Sequence, residues 1–287
     1  MDFRRSAIVL IVCFFFLDVF LFGLVCQKKV ESKTPLNSSI NVIDQMKQDG
    51  ITLPSLPSTD ETAPIIQLTP VSIGPGLNNL QNQSVTLEKN VITAELLSPI
   101  QLGLSTTINE ESFNALTNFI NNKVLFGDKY VWSSYNATTR KVIYAQKADK
   151  LSIMDGTSQI IVTLNANDQA VSYEQTYAGN VQVLGNKRSL ITAQSAVEVL
   201  FLAGKIPAKS TVSTVKLSYF QSLVLKEFSI YSPAWYVEIR QADGQLVARR
   251  VDAIHGTVLT NETLETTNTQ TQRTTTNNTT TQTVQQQ

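Results

Sequence analysis

Residues 232–258 read SPAWYVEIRQADGQLVARRVDAIHGTV and contain the strongest hairpin signal in the chain. The dipeptide Asp243-Gly244 favours the tight turns of β-hairpins, because both residues tolerate the positive φ angles that these turns need. The strand-like segments 235–241 and 245–251 flank this dipeptide. We therefore expect an antiparallel pair of strands here.

Upstream of this hairpin the pattern alternates between helix and strand. A helix is predicted over residues 107–124, with a Thr107-x-x-Glu110 capping box, and another from a Thr192 cap to a stop at Gly204. Strand-like segments follow each helix, at 130–135, 141–146, 159–164 and 170–177 and then at 212–219 and 223–230. This order predicts an α+β fold of two helix-plus-antiparallel-sheet units, residues 78–188 and 189–262.

The N-terminal region predicts a membrane anchor. Residues 7–25 read AIVLIVCFFFLDVFLFGLV, a run of 19 residues in which Asp18 is the only charge. Such a helix is roughly 28 Å long, which is enough for a bilayer core. A cleaved signal peptide is the alternative, but Val25-Cys26-Gln27 lacks the small residues of a cleavage site. We expect an uncleaved helix over residues 7–26, a cytoplasmic stub over residues 1–6 and an extracytoplasmic, cysteine-free body.

The segments that flank the predicted body have biased compositions. Six of the nine prolines fall between Pro35 and Pro75, which predicts an extended stalk over residues 27–77, interrupted by a helical patch that begins near Ser39 and stops at Gly50. Beyond Glu265 almost every residue is Thr, Asn or Gln. A segment with so little apolar surface to bury predicts a disordered tail over residues 263–287.

Composition excludes several classes of function. Hydrophobic residues make up 42% of the chain, which is enough for a core, and 23 basic residues balance 23 acidic ones. A neutral chain lacks the basic excess typical of nucleic-acid binding. With His255, Cys13 and Cys26 as the only residues of their types, a zinc site built from Cys and His is excluded, although a carboxylate-only metal site stays open. We expect no cofactor.

One motif suggests an enzyme. Ser213-Thr214-Val215-Lys216 fits the SxxK pattern of penicillin-binding proteins, in which a helix lets the lysine reach the serine hydroxyl. Here the neighbours are β-branched, which favours a strand with the two side chains on opposite faces. No Lys-Thr-Gly follows, so we interpret Ser213 as a strand residue and expect no catalytic residue.

Other candidate residues also have structural interpretations. His255 is expected in a turn near Asp252, as a local hydrogen-bonding residue, and Glu110-Glu111 in the first turn of a helix, where the helix dipole favours negative charge. The aromatic residues on predicted strands form either a binding platform or, as we favour, sheet packing. They are Trp132, Tyr135, Tyr173, Tyr177, Trp235 and Tyr236.

Five segments in order resemble the YycI family of membrane-anchored regulatory proteins of the YycFG (WalKR) two-component system in low-GC Gram-positive bacteria. They are MDFRR with the following LDVFL run, DQMKQDGITLPSLP at 44–57, SYEQTY at 172–177, TAQSAVEVLFLAGKIP at 192–207, and the hairpin block at 232–258. The last block also resembles a PepSY-type strand-turn-strand, with His255 at a position where a small polar residue is expected.

The resemblance implies a non-enzymatic accessory regulator. Its implied partners are a sensor histidine kinase of the WalK (YycG) type and a YycH-type protein, contacted through the transmembrane helix and the extracytoplasmic domain to tune cell-wall metabolism. The alternative is a PepSY-like binding module that restrains an extracellular hydrolase or senses a wall component. Either interpretation places the protein in the cell membrane as a single-pass protein.

Asp18 is the candidate contact within the predicted span. A carboxylate in the bilayer costs about 2.5–3.5 kcal/mol on insertion scales, so such a residue normally faces a protein partner. A protonated Asp18 tolerated by a very apolar helix is the alternative. The predicted partner-binding residues are Asp18, Phe14, Phe15, Leu21, Phe22 and Gly23.

Overall fold

The computed structural model describes residues 14, 15, 17, 39–57, 61–78, 80–104 and 108–259. The chain divides into two compact units, residues 1–48 and 49–287. The helices are α1 Ser39–Gln48, α2 Gly74–Leu77, α3 Asn114–Lys123 and α4 Ala193–Leu202, with 3₁₀ turns at Glu110–Phe113 and Gly127–Lys129. The strands are β1 Thr62–Thr69, β2 Gln83–Glu88, β3 Val91–Gln101, β4 Tyr130–Asn136, β5 Lys141–Ala148, β6 Leu151–Ser152, β7 Gln159–Leu164, β8 Gln169–Thr176, β9 Asn180–Ser189, β10 Thr211–Val224, β11 Ser229–Arg240, β12 Leu246–Asp252 and β13 Val258–Leu259.

The first unit contributes α1 and three residues of the predicted span. Phe14, Phe15 and Leu17 have helical backbone. Within the described residues, no helix combines the length and the apolar character needed to cross a bilayer. The rest of the predicted span, the stub at 1–6 and the tail at 263–287 lie outside the described residues.

The first sheet of the second unit is antiparallel, in the order β2-β3-β8-β7-β5-β4, with β6 paired to β5. Alternate residues of β7 are buried, as expected for a strand with one face on a core. Helix α3 contributes Leu116 and Ile120 to the core of this sheet, and Phe113 joins them from the 3₁₀ turn. The predicted helix-plus-sheet arrangement is confirmed here.

The 3₁₀ turn that leads into α3 begins at a different residue from the one predicted. Asn109 is the N-cap, its side chain accepts a hydrogen bond from the Ser112 backbone N–H, and the Ser112 hydroxyl faces the Asn109 N–H in return. The observed capping box is thus Asn109 with Ser112, whereas Thr107 of the predicted box lies outside the described residues. Both patterns place a capping residue three positions before its partner, and asparagine is as good an N-cap as threonine.

The second sheet has the order β13-β12-β11-β1-β9, and β10 pairs with the other side of β11. The predicted hairpin joins β11 to β12, with Gly244 at φ +84° and the Asp243 carboxylate accepting the Gln245 N–H. Helix α4 begins at the predicted Thr192 cap, whose hydroxyl accepts the Ser195 N–H, and contacts β10, β11 and β12. Both predictions are confirmed.

Strand β1 lies inside the segment predicted as a stalk. It pairs with β11 on one side and β9 on the other, and Ile66 and Leu68 are fully buried. The stalk predicted over 27–77 is therefore wrong for this segment. The prediction failed because a proline such as Pro64 is typical of a linker. Here Pro64 lies within the strand, where the register against β9 shifts between Ala63 and Ile65. A bulge accommodates a residue that has no N–H for the ladder.

The boundary predicted at residue 189 does not separate the two sheets. Strand β9 ends at that boundary and β1 lies far before it, yet both belong to the second sheet. A cluster of Ile66, Leu68, Ala148, Ile153, Tyr219 and Tyr231 also combines residues of both sheets. Two antiparallel sheets with helices are present as predicted, but the second sheet is assembled from three separated parts of the chain.

Candidate interaction surface

Residues 177–179 cross from β8 of the first sheet to β9 of the second. Gly179 has φ +113°, and a Cβ atom at this position would lie 2.0 Å from the Thr69 carbonyl oxygen. Only glycine therefore fits, both for its backbone angle and for the closeness of the end of β1. The close approach fixes the point at which β9 leaves the crossover.

Gln146 on β5 is fully buried and forms hydrogen bonds with the crossover. Its Nε2 donates to the Gly179 carbonyl at 2.9 Å, and its Oε1 accepts the Ala178 N–H at 3.1 Å. The Ser158 hydroxyl also donates to Oε1. A buried amide normally has such partners, because an unpaired one is costly. Gln146 thus ties the first sheet to the crossover segment.

An aromatic layer supports the same crossover. The Tyr130 hydroxyl donates to the Thr176 carbonyl at 2.6 Å, and burial raises the pKa of Tyr130, so the group stays a neutral donor. The Tyr177 ring is stacked on Phe126, with 4.4 Å between ring centroids. Ring stacking and the hydrogen bond leave the crossover with one defined path.

A cleft of about 340 Å³ opens beside this crossover. Its walls carry both signs of charge, and the Lys129 ammonium lies 2.8 Å from the Asp128 carboxylate, which raises the pKa of Lys129. A space of this size is at the lower end for a small-molecule pocket, and it accommodates one or two side chains. The lining residues are Asp128, Lys129, Gln146, Lys147, Asp149, Tyr177, Gly179, Asn180 and Val181.

Strand β9 extends the cleft into an open sheet edge. Among the described strands, β9 pairs with β1 alone, and nine of its ten residues are exposed. Val181 and Val183 retain 36% and 47% of their surface accessible. An edge strand carries backbone N–H and C=O groups without a ladder partner, so it offers a template for another strand. Cleft and edge together form the candidate surface.

Further contacts make the two sheets one rigid support for this surface. The Asp155 carboxylate, between β6 and β7, accepts the Gln221 N–H of β10 at 2.6 Å. The Thr157 and Tyr231 hydroxyls lie 2.9 Å apart. The Arg250 guanidinium donates two hydrogen bonds to the Met154 carbonyl. Polar groups from both sheets are thus mutually satisfied at their junction.

Four of the six predicted transmembrane contact residues lie outside the described residues. Phe14 and Phe15 are described, with helical backbone and exposed side chains. Asp18, Leu21, Phe22 and Gly23 are outside the described residues. The partner-binding role of this group stays a prediction.

Ser213 lies in strand β10, as interpreted from the sequence. It sits where the register against β11 shifts between Val212 and Thr214. Its hydroxyl donates to the Glu238 carboxylate at 2.7 Å, while Lys216 is paired with Tyr236 further along the strand. The helical geometry that an SxxK nucleophile requires is not the geometry of this strand.

His255 and the acidic pair have the local roles predicted for them. The His255 Nδ1 lies 3.0 Å from the Asp252 carboxylate in an exposed turn. Glu110 and Glu111 lie in the first turn of the 3₁₀ segment. Neither arrangement adds a further functional group.

The aromatic residues that could have formed a platform do not share one surface. Tyr173 and Trp235 are buried, and the Trp235 Nε1 donates to the Ile191 carbonyl. Trp132 is stacked near Phe113, and Tyr177 lines the cleft. Sheet packing is confirmed for the buried members.

Sequence reasoning missed the crossover and the exposed strand. The available signals were a glycine directly after the strand-like SYEQTY segment and the alternating Val181 and Val183 beyond it. Gln146 gave no signal, because its partners at residues 158 and 178–179 are distant in the chain.

A family model described as YycI protein matches residues 31–254, most of the chain. The chain belongs to the YycI family. The resemblance predicted from the sequence segments is confirmed, and YycI-family membership indicates a regulatory accessory protein of the YycFG two-component system.

Other comparisons add little to the YycI assignment. No curated protein matches the chain. Among solved structures, an uncharacterized protein from Eubacterium rectale has a TM-score of 0.45 at 10% identity, over 74% of this chain and 91% of that one.

Proposed function

We propose that this chain is a membrane-anchored accessory regulator that tunes the sensor histidine kinase of the YycFG system together with a YycH-type protein. In this proposal the N-terminus is cytoplasmic, residues 7–26 cross the cell membrane once, and the α+β body is extracytoplasmic. The observation that carries the proposal is the YycI family match over residues 31–254. It begins just after the apolar run, which is long enough to cross a bilayer.

The described surface supports a binding role. Its main features are an open strand edge and a shallow charged cleft, which suit protein contacts rather than a reaction. Ser213 and His255, the two residues that suggested chemistry, are engaged by Glu238 and Asp252. The two sheets supply a rigid body that presents this surface in a fixed geometry.

Affinity capture of the intact protein from membranes tests the partners. We expect the sensor kinase and the YycH-type protein to be recovered with it, and a span-replaced variant to recover less of them. Recovery of an extracellular hydrolase instead would favour the PepSY-like binding module.

Thiol labelling in intact cells tests the topology. The body contains no cysteine, so Leu97→Cys in a Cys13→Ser, Cys26→Ser background provides a single exposed thiol. A membrane-impermeant reagent is expected to label it in intact cells. Labelling that requires cell lysis would place the body in the cytoplasm and contradict the proposal.

A further inference from the structure

Strand β9 is protected against edge pairing along only half of its length. Between Leu184 and Arg188 the register against β1 shifts, and Gly185 there has φ +66°. Such a bulge twists an edge away from an incoming strand, and the charges of Lys187 and Arg188 add to this protection.

The other half of β9 carries no such protection. Residues Asn180–Leu184 pair in regular register with β1, from Thr69 back to Ile65. In an antiparallel ladder every second residue directs its N–H and C=O away from its partner strand. The regular half therefore offers backbone donors and acceptors together with the exposed side chains of Val181 and Val183.

Two structural features restrict what binds this edge. The cleft adjoins Asn180 and Val181 at the start of the strand, so it lies beside the path of an added strand. At the far end, neither Lys187 nor Arg188 makes an ion pair within the described residues. A complementary segment carries apolar side chains opposite the valines and an acidic side chain near the basic pair.

We propose that residues Asn180–Leu184 of β9 bind an extended segment of a different protein by strand addition. Backbone hydrogen bonds to β9 provide affinity, while the valines, the cleft and the Lys187-Arg188 pair select an apolar segment with an acidic end. The proposal rests on the proposed function, because the segment that binds β9 is taken to belong to a protein of the same regulatory complex.

Site-specific photo-crosslinking in the full-length membrane protein tests the surface. The crosslinker replaces Val183, and the matched control replaces Leu87, a comparably exposed apolar residue on edge strand β2 of the other sheet. We expect an adduct with the kinase or the YycH-type protein from position 183 and none from position 87. Val181→Lys is expected to reduce the adduct at least tenfold, whereas Leu87→Lys leaves it unchanged.

Hydrogen exchange distinguishes strand addition from contact through side chains alone. In the captured complex, the amides of residues 180–184 that face outward are expected to exchange more slowly than in the protein alone. Normal capture without an adduct or slowed exchange would overturn the edge proposal and leave the proposed function intact. An adduct between two copies of this chain would overturn the choice of a different protein. Loss of all capture would overturn both.

Discussion

Gln146 donates a hydrogen bond of 2.9 Å to the carbonyl oxygen of Gly179, across the point where the chain passes from one sheet to the other. The same amide accepts from Ala178 and Ser158, so one buried side chain satisfies three groups. The position of β9, and with it the candidate surface, depends on this contact.

Gln146→Leu is expected to lower the free energy of unfolding by about 1–3 kcal/mol, because the Gly179 carbonyl loses its buried donor, whereas the Ala178 N–H keeps the Ser158 hydroxyl as an acceptor. Denaturant unfolding measures the change. Gln194→Leu on the exposed face of α4 is the control, with an expected change within about 0.5 kcal/mol. Equal changes in the free energy of unfolding would show that the crossover contact stabilises the protein no more than an exposed side-chain contact does.

Gly179→Ala is expected to destabilise the protein more than Gly204→Ala. Both glycines have positive φ angles, where an alanine costs roughly 1–2 kcal/mol. Only Gly179 also meets backbone, since its added Cβ would lie 2.0 Å from the Thr69 oxygen, whereas nothing lies within 4 Å at Gly204. The difference in melting temperature between the variants measures the steric part, and a difference near zero would contradict the close approach.

Stability is expected to fall as pH rises above about 10. Burial raises the pKa of Tyr144 from 10.0 to about 12, so over that window the unfolded chain loses a proton that the folded protein keeps. The unfolding free energy then decreases by about 1.4 kcal/mol per pH unit for this group.

Tyr144→Phe tests that assignment. It is expected to reduce the alkaline decline by the share of one group, because burial also raises the pKa of Tyr219 and of Tyr236. Thr117→Val removes the 3.0 Å hydrogen bond of the same hydroxyl and keeps the decline. Denaturant unfolding at several pH values measures both. An unchanged slope in Tyr144→Phe would mean that other tyrosines account for the alkaline loss.

Removal of residues 266–287 is expected to leave the melting temperature unchanged, because a segment of Thr, Asn and Gln has little apolar surface to bury. Thermal unfolding of the full chain and the truncated chain provides the comparison. A fall of several degrees would show that the tail packs on the body.

Asp18→Leu is expected to insert into the membrane more readily and yet to weaken co-capture of the kinase or the YycH-type protein. Polar contacts between spanning helices contribute about 0.6–1.7 kcal/mol, so the loss is partial. Quantitative co-capture at equal expression measures it, with the whole span replaced by an unrelated helix as the control. If the span-replaced control still co-captures the partners normally, the span serves only as a tether. If that control fails while Asp18→Leu behaves normally, the interaction depends on the packing shape of the helix and not on the carboxylate.

Local signals predicted the elements that local contacts determine. The Asp243-Gly244 turn and the Thr192 cap act within a few residues, so their positions follow from the sequence. Strand β1 was missed because Pro64 and the prolines around the strand are typical of an extended linker, and its neighbours come much later in the chain. Strand β9 was missed because the alternation of apolar and polar residues stops after Val183, and Gly185 to Ser189 are typical of a loop.

The candidate surface was less predictable than the fold. It depends on the hydrogen bond from Gln146 to Gly179 and on the pairing of Val183 with Ile66. Both contacts form only when the two sheets have formed. The predicted contact at Asp18 follows from the composition of the span and from membrane energetics, and neither depends on the fold of the body. Long-range register is information that a single sequence carries weakly.

Strand β1 also constrains the order in which the protein folds. Ile66 pairs with both Val183 and Tyr231, so a strand synthesised early stays without neighbours until most of the chain exists. Contacts so distant in the chain slow folding, because the entropy of closing long loops is lost before the contacts form. During synthesis from the N-terminus, an apolar strand is left exposed for an extended period. This leaves the newly made chain vulnerable to aggregation until β9 and β11 enclose it.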